Sequence, residues 1–296
     1  MSKQAYIPKS FSDKALVLIQ HADIIIREYV QQGYRLTVRQ LYYQLVARGI
    51  IENTERSYKK TTVLVNDAKL AGLLDWDAIE DRTREFIDRP HWGSGAELLE
   101  SAARQFHMDM WEHQGERVFV IVEKEALVGV LESTCREFDV PLLAARGYPS
   151  GTVLREFCQR DIRKAIKAGQ RPIVIHLGDH DPSGIDMTRD LGERINLFNS
   201  HLGSDVELRR IALTWDQIQD QSPPPNPAKT TDSRFSSYAS QYGNESWELD
   251  ALSPAFLNSL VTDEIQKSID QDMWDERTEE ILAVKTKMLS FTKVFK

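Results

Sequence analysis

The sequence predicts an α/β fold with an α-rich N-terminal part, and three observations carry that prediction. Two apolar runs, Val118-Phe119-Val120-Ile121-Val122 and Ile173-Val174-Ile175-His176-Leu177, are bounded by turn and polar residues, as strands buried on both faces are. Helical segments alternate with strand-like runs between residues 118 and 198, the pattern of a parallel sheet with right-handed crossovers. Ahead of them, residues 12–72 read as three helices divided by Gly33 and Gly49.

Ser12 and Asp13 can cap a first helix running to about residue 32, with Leu16, Ile19, Ile24 and Ile25 on or near one face; Gly33 ends it. Thr37 can cap a second helix over 38–48, stopped by Gly49, and Thr54 can start a third that reaches Ala71-Gly72. Short helices followed by the turn-rich Leu74-Asp75-Trp76-Asp77 suit a winged helix-turn-helix, in which a basic helix enters the major groove of DNA. Helical patterning over 95–114 forms a connector. Strand and helix then alternate through 118–122, 126–138, 142–145, 153–168, 173–177 and 185–198, with Ser183 and Asp186 as a capping pair for the last helix. Pro223-Pro224-Pro225-Asn226-Pro227 is a stiff extended loop. Ser253 can start a helix to about residue 269, and 275–287 is helical. The domains expected are 1–92, a connector 93–116, and 117–296.

The chain has 296 residues, 41% of them hydrophobic, enough for two globular domains. No apolar run approaches a membrane span and the N-terminus lacks a signal-peptide pattern, which predicts a cytoplasmic protein without membrane contact. Cys135 and Cys158 are too few for a zinc site and read as reduced core residues. The net charge of −8 argues against nucleic-acid binding by bulk charge, so any such binding needs a local basic face.

Ligands of open α/β sheets bind beyond the carboxyl ends of the strands. Glu123 follows the first apolar run. Asp179-His180-Asp181-Pro182-Ser183-Gly184 follows the second, after Gly178. Glu123, Asp179 and Asp181 are therefore expected at one site. Three carboxylates without His or Cys suit a hard cation, Mg²⁺ held with several waters, or Mn²⁺. The bland alternative is an ordinary loop and helix start.

A basic face lies within residues 35–69. Arg35, Arg39, Arg48, Arg56, Lys59, Lys60 and Lys69 oppose Glu52, Glu55 and Asp67, so seven positive less three negative charges leave +4. Arg56, Lys59, Lys60 and Lys69 share the third helix and are the expected DNA contacts; the alternative is a solvated helix face. The second helix carries Arg39, Tyr42 and Tyr43. Neighbouring helix residues point roughly 100° apart, so one tyrosine can pack inward while the other faces a ligand. A tyrosine can attack phosphorus if a base, cation or metal helps it ionise. Arg39, four residues before Tyr43, can reach the same phosphate. A Tyr-Tyr pair on a helix is otherwise ordinary core packing.

Together, Arg39-Gln40-Leu41-Tyr42-Tyr43, Glu123 and Asp179-His180-Asp181 resemble the A subunit of topoisomerase VI and the related meiotic double-strand-break transesterase. Arg146-Gly147-Tyr148-Pro149-Ser150 resembles that family's Gly-Tyr-Pro segment. Arg209 to Thr214 followed by Asp216 resembles its later strand, Lys229, Thr230, Asp232 and Arg234 a late polar element, and Glu248-Leu249-Asp250-Ala251-Leu252 its Glu-x-x-Ala-Leu element. These pieces occur in family order over most of 37–252. The chain is short for an A subunit and is similar to minimal, bacterial or mobile-element versions. Gln40 stands where the family usually has an acid.

The resemblance implies a winged-helix domain carrying the nucleophile, here Tyr43, and a Toprim domain binding Mg²⁺ through Glu123, Asp179 and Asp181. It implies Mg²⁺-dependent cleavage of double-stranded DNA by transesterification, with tyrosine joined to the 5′ phosphate, Arg39 on the phosphate, and Glu123 as third ligand or leaving-group acid. It also implies a homodimer in which each tyrosine works against the partner's metal site, a separate GHKL-type ATPase B subunit, and a nucleoid-associated location. No Walker-type glycine loop is present, so ATP hydrolysis is not expected of this chain. The alternatives are a Toprim nuclease using water, a catalytically silent DNA-binding protein, and a haloacid-dehalogenase-like phosphatase, which Glu123 ahead of the Asp pair disfavours.

Overall fold

The computed structural model describes residues 3–79, 89–200 and 206–295. Part of the expected 1–92 domain, residues 80–88, lies outside these.

The N-terminal module is built from α1 (Asp13–Gln31), α2 (Val38–Ala47) and α3 (Glu55–Leu70), each started as its sequence predicts. Ser12, Thr37 and Thr54 accept from backbone N–H groups three residues on, and Gln40 completes a capping box at α2. Gly33 and Gly49 take positive φ at the helix ends. The inward face of α1 is Ile19, Ala22, Ile25, Ile26 and Tyr29, whereas Leu16 and Ile24 are exposed. A stripe with steps of three and four follows one helix face, and those two residues lie off it. The core of the module adds Leu36, Leu41, Leu45, Val65, Ala68 and Leu74. Among the described residues its only β pairing is by isolated bridges, Ala5 to Ala71 and Leu36 to Ile79.

The helical connector is shorter than its pattern suggests. Helix α4 (Gly95–Gln105) ends before Phe106, and Trp111 is buried with its indole Nε1 donating to Phe138 O at 2.8 Å. The demand of that large ring for burial overrides helix propensity there.

The remainder is a three-layer α/β/α unit. It runs β1 (Glu116–Val122), α5 (Val128–Glu137), β2 (Leu142–Ala144), α6 (Gly151–Phe157), α7 (Arg163–Lys167), β3 (Arg171–Leu177), α8 (Pro182–Asn199), β4 (Glu207–Ala212), α9 (Trp215–Gln221), β5 (Asn226–Pro227), α10 (Phe235–Tyr242), β6 (Glu245–Ser246), α11 (Pro254–Gln266) and α12 (Gln271–Phe291). The four-stranded sheet is parallel with order β2-β1-β3-β4, and β5 and β6 form a separate antiparallel pair. A single helix was expected over 153–168; instead a π-helical turn, Cys158–Ile162, separates α6 from α7. The last helix is longer than 275–287, because Asp270 caps it.

Alternate residues of β1 serve two cores. Val118, Val120 and Val122 pack with α5 and α11, while Phe119 and Ile121 pack with α6 and α8. β3 repeats the pattern, with Ile173, Ile175 and Leu177 on the first face and Val174 on the second. Both faces are covered, which is why the runs read as continuous apolar stretches. Cys135 and Cys158 are buried and unpaired, one in each core. Among the described residues no helix is long and apolar enough to cross a membrane.

Candidate functional site

β1 and β3 are neighbours, yet the strand after β1 lies on one side and the strand after β3 on the other. The crevice beyond the carboxyl ends at such a reversal is the usual ligand position of an open α/β sheet. Glu123 is the residue after β1, and its N–H donates to Leu177 O at 2.8 Å. Its Oε2 accepts from the backbone N–H of Asp179 at 2.9 Å, joining the two strand ends. Gly178 makes this closeness achievable: a Cβ there would stand 2.9 Å from Glu123 Oε2. A Cβ at Gly184 would run into the Asp179 carbonyl. Arg210 of β4 ties the loop down, donating to Gly178 O at 2.9 Å, Asp179 O at 2.6 Å and Gly184 O at 3.0 Å.

Asp181 is the N-cap of α8, accepting from Gly184 N–H at 2.6 Å and from Ser183 Oγ at 2.9 Å. The expected Ser183–Asp186 capping pair is therefore incorrect. Pro182 occupies the first helical position, which moves the cap one residue ahead of it. Asp186 instead accepts from Tyr148 Oη at 2.7 Å and pairs with Arg189 and Arg234.

Burial pushes the Asp179 carboxyl up to about 7, against the pull of Lys124 and with the repulsion of Glu123 and Glu248. Burial likewise raises Glu123, opposed by its bond from Asp179 N–H and helped by the negative charge of Asp181. Lys124 follows Glu123 and points to a different set of acids. It bonds Asp179 at 3.0 Å, Asp250 at 3.1 Å, and Glu248. Although burial alone would lower its pKa, Asp250, Asp179 and Glu248 hold it well above the usual lysine value.

His176 is wholly buried beside this loop, with Nδ1 2.9 Å from Thr188 Oγ1. Burial, helped by the Arg210 charge, pushes it down to about 3. A depressed folded-state value means stability that is present above the unfolded value of about 6.5 and is lost as pH falls toward 3, on the order of a few kcal/mol. Urea unfolding at pH 7 and pH 4.5 should show a smaller acid loss for His176→Gln than for wild type. An equal loss would show that this histidine does not carry the acid sensitivity.

The tyrosine helix faces the same crevice. A cleft of about 780 Å³ is lined by Arg39, Tyr42, Tyr43, Asn53, Tyr58, Glu123, Asp179, Asp181, Lys229 and Glu248, among others. Both tyrosines are largely buried and their rings meet edge to face at 5.2 Å, so the expected division into one inward and one outward ring is not what forms. The difference between them lies at the hydroxyls. Tyr42 Oη donates within hydrogen-bond distance of Asn53 Oδ1 (2.9 Å) and Thr54 O (3.2 Å). Tyr43 sits by Arg39, whose guanidinium carbon is 5.9 Å from its ring centre. Burial, then Asp250 and Glu248, raise the Tyr43 pKa, and Arg39 opposes them. Arg39 itself bonds Glu248 at 2.7 Å and lies 3.0 Å from Asp250.

The site residues read from sequence thus fall into two groups. Arg39, Tyr43, Glu123, Asp179 and Asp181 line one cleft. The basic residues of α3 do not. Lys59 and Lys60 flank a shallow groove with Lys9, Phe11, Val63 and Asp67. Lys59 pairs with Glu55 at 2.7 Å, Arg56 is exposed, and Lys69 turns over the Trp76 ring at 4.8 Å. Arg48 pairs with Glu28, so the +4 excess is partly neutralised by acids outside the 35–69 window. Lys124, Glu248, Asp250 and Arg210 were not singled out as site residues. Their charge is visible in the sequence, but most of their partners lie more than 20 positions away.

The all-oxygen donors and the raised Glu123 and Asp179 carboxyls suit a hard divalent cation. Among the described residues, however, no group of three or more His, Cys, Asp or Glu is arranged to hold one. Asp181 is committed to its cap, and Asp179 Oδ1 also accepts from Leu249 N–H at 2.7 Å. Mg²⁺ commonly uses one or two carboxylates plus water and substrate phosphate, so the donor set fits that ion. No protein-family model matches this chain, and a search of curated proteins finds no similar one.

Proposed function

We propose that this protein cleaves double-stranded DNA by Mg²⁺-dependent transesterification, in the manner of a type IIB topoisomerase A subunit. The carrying observation is the single cleft that holds a tyrosine–arginine pair together with three strand-end acids. In this reading residues 1–92 are a winged-helix domain and 117–296 a Toprim domain, whose four-stranded parallel core supports the assignment.

Tyr43 Oη attacks a backbone phosphorus and loses its proton. An O–P bond forms to the 5′ phosphate as the bond to the 3′ oxygen breaks, and that oxygen gains a proton. Phosphodiester number is conserved, so resealing needs no energy source. Arg39 stabilises the charged phosphate. Glu123 and Asp179, with Asp181, would hold Mg²⁺ or Mn²⁺, which when bound offsets charge at the phosphate. Glu123, with its raised pKa, also suits the proton donor for the leaving oxygen. A homodimer, a GHKL-type ATPase partner and a nucleoid-associated cytoplasmic location belong to the same proposal.

The test is plasmid cleavage with protein and Mg²⁺, products being separated with and without protease. Ends that carry covalent protein support the reading; protein-free ends favour a nuclease. The electrostatics also accommodate that second reading: burial pushes the Asp179 carboxyl up to about 7, which suits a base that activates water, and burial with Asp250 and Glu248 pushes Tyr43 away from ionisation.

DNA would lie across α3, where Arg56, Lys59, Lys60 and Lys69 are carried, held by phosphate contacts with weak sequence preference. Neutralised phosphates release counterions, so affinity should fall steeply with salt. Reversing Lys59 and Lys60 to Glu should weaken binding to all duplexes alike and flatten the salt slope. Unchanged binding would move the main DNA contact off this helix.

A further inference from the structure

The outer face of α12 carries a stripe that the core does not use. The inner face is fixed. Trp274 meets Trp111 edge to face at 5.7 Å, Ile281 is buried in the core, and Arg277 donates to Asp109 O at 3.2 Å and pairs with Glu112. The opposite face presents Asp275, Glu279, Leu282, Thr286 and Leu289, all exposed, with Lys293 one turn on in the 3-10 segment Thr292–Phe295. Their steps are four, three, four, three and four, the heptad spacing with which one helix offers a seam to another. Leu282 is 63% exposed and Leu289 44%. Charge is polarised along the same helix. Residues 271–280 hold five acids and one arginine, a net −4, whereas 281–293 hold three lysines and no acid, a net +3.

We propose that this face docks a second copy of the chain, its α12 running antiparallel about a twofold axis at Thr286. Leu282 and Leu289 lie four and three residues either side of Thr286, so each meets the other kind of leucine across the axis. Glu279 and Lys293 lie seven residues either side, so an acid meets a base at both ends of the seam. A parallel copy would instead set acid against acid and base against base. Single exposed leucines need no explanation, but two in one seam, closed by opposite charges, are self-complementary, as a twofold contact requires. The leucines supply apolar burial, the end charges set direction, and the threonine marks the register. Among the described residues, neither Glu279 nor Lys293 has an ion-pair partner in its own chain.

The seam is separate from the cleft. Asp109, Trp111 and Glu112, which anchor α12, precede β1, whereas the cleft acids follow β1 and β3, and no seam residue lines the cleft. The contact therefore leaves the cleft free for DNA and for a partner's tyrosine helix. It is additional to the homodimer of the cleavage reading and does not rest on that reading. A single helix per copy buries less than the ~1,600 Å² of a standard interface, so association depends on concentration.

The test is the mass of the full chain, free of DNA, by sedimentation over a concentration series. Wild type should gain mass as concentration rises. Leu282→Glu combined with Leu289→Glu should weaken that step about 100-fold or more, because charge replaces the apolar seam. Glu279→Lys alone and Lys293→Glu alone should each weaken self-association, since like charges then meet at both ends. An equimolar mixture of those two variants should associate as wild type does, because both end pairs are again opposite in charge. The altered side chains are exposed, so melting temperatures should stay near that of wild type. If the leucine double variant does not fold, the charge variants carry the test. A wild type that is monomeric at every concentration overturns the proposal and leaves the face to another partner. A leucine double variant with the wild-type mass profile overturns it too and places self-association elsewhere. Charge variants that fail to pair when mixed overturn the antiparallel register.

Discussion

Tyr43→Phe should lose protein-linked DNA ends by about 10³-fold or more, because it removes the assigned nucleophile while the neighbouring Tyr42 hydroxyl is held by Asn53 and Thr54. DNA affinity and the fold should be nearly unchanged: the lost hydroxyl carries neither a DNA-binding charge nor the packing of the ring beside Ala251 and Tyr42. Tyr42→Phe is the matched control. Its hydroxyl bonds Asn53 and Thr54, so its removal should cost about 1 kcal/mol of stability while cleavage persists. If Tyr43→Phe still forms linked ends, or if Tyr42→Phe is the inactive variant, the nucleophile is misassigned.

Asp179→Asn should abolish Mg²⁺-dependent cleavage and, separately, the stabilisation of the protein by divalent cation. Burial and the neighbouring carboxylates make Asp179 and Glu123 reluctant to ionise, so a cation that binds them should stabilise the folded state. A ligand at a hundred times its dissociation constant adds about 2.7 kcal/mol, which a melting curve resolves. Wild type should therefore melt higher with Mg²⁺ or Mn²⁺, and Asp179→Asn should not. A wild-type melting temperature insensitive to both ions would count against a cation at these acids. Undiminished cleavage by Asp179→Asn would remove the residue from the mechanism.

Helix starts, the two central strands and the position of each strand-end acid are local properties, and residue pattern alone determined them. Ser12, Thr37 and Thr54 satisfy backbone donors three residues on, and the twofold alternation of β1 and β3 hides two cores within one apolar run. Local rules erred where neighbours compete. Asp181 took the cap assigned to Ser183 because Pro182 fits the first turn, and the burial of Trp111 lies beyond a connector helix that stops at Gln105.

Only the tertiary structure decided how charge is distributed around the cleft. Arg39 reads as a phosphate ligand and Lys124 as one charge in an acidic triplet. Their partners, Glu248 and Asp250, are 209 and 126 positions away. Sequence records which groups can ionise. An ion pair depends on distance and on exclusion from water, and both arise only when β1, β3 and the 248–251 segment are packed against α2.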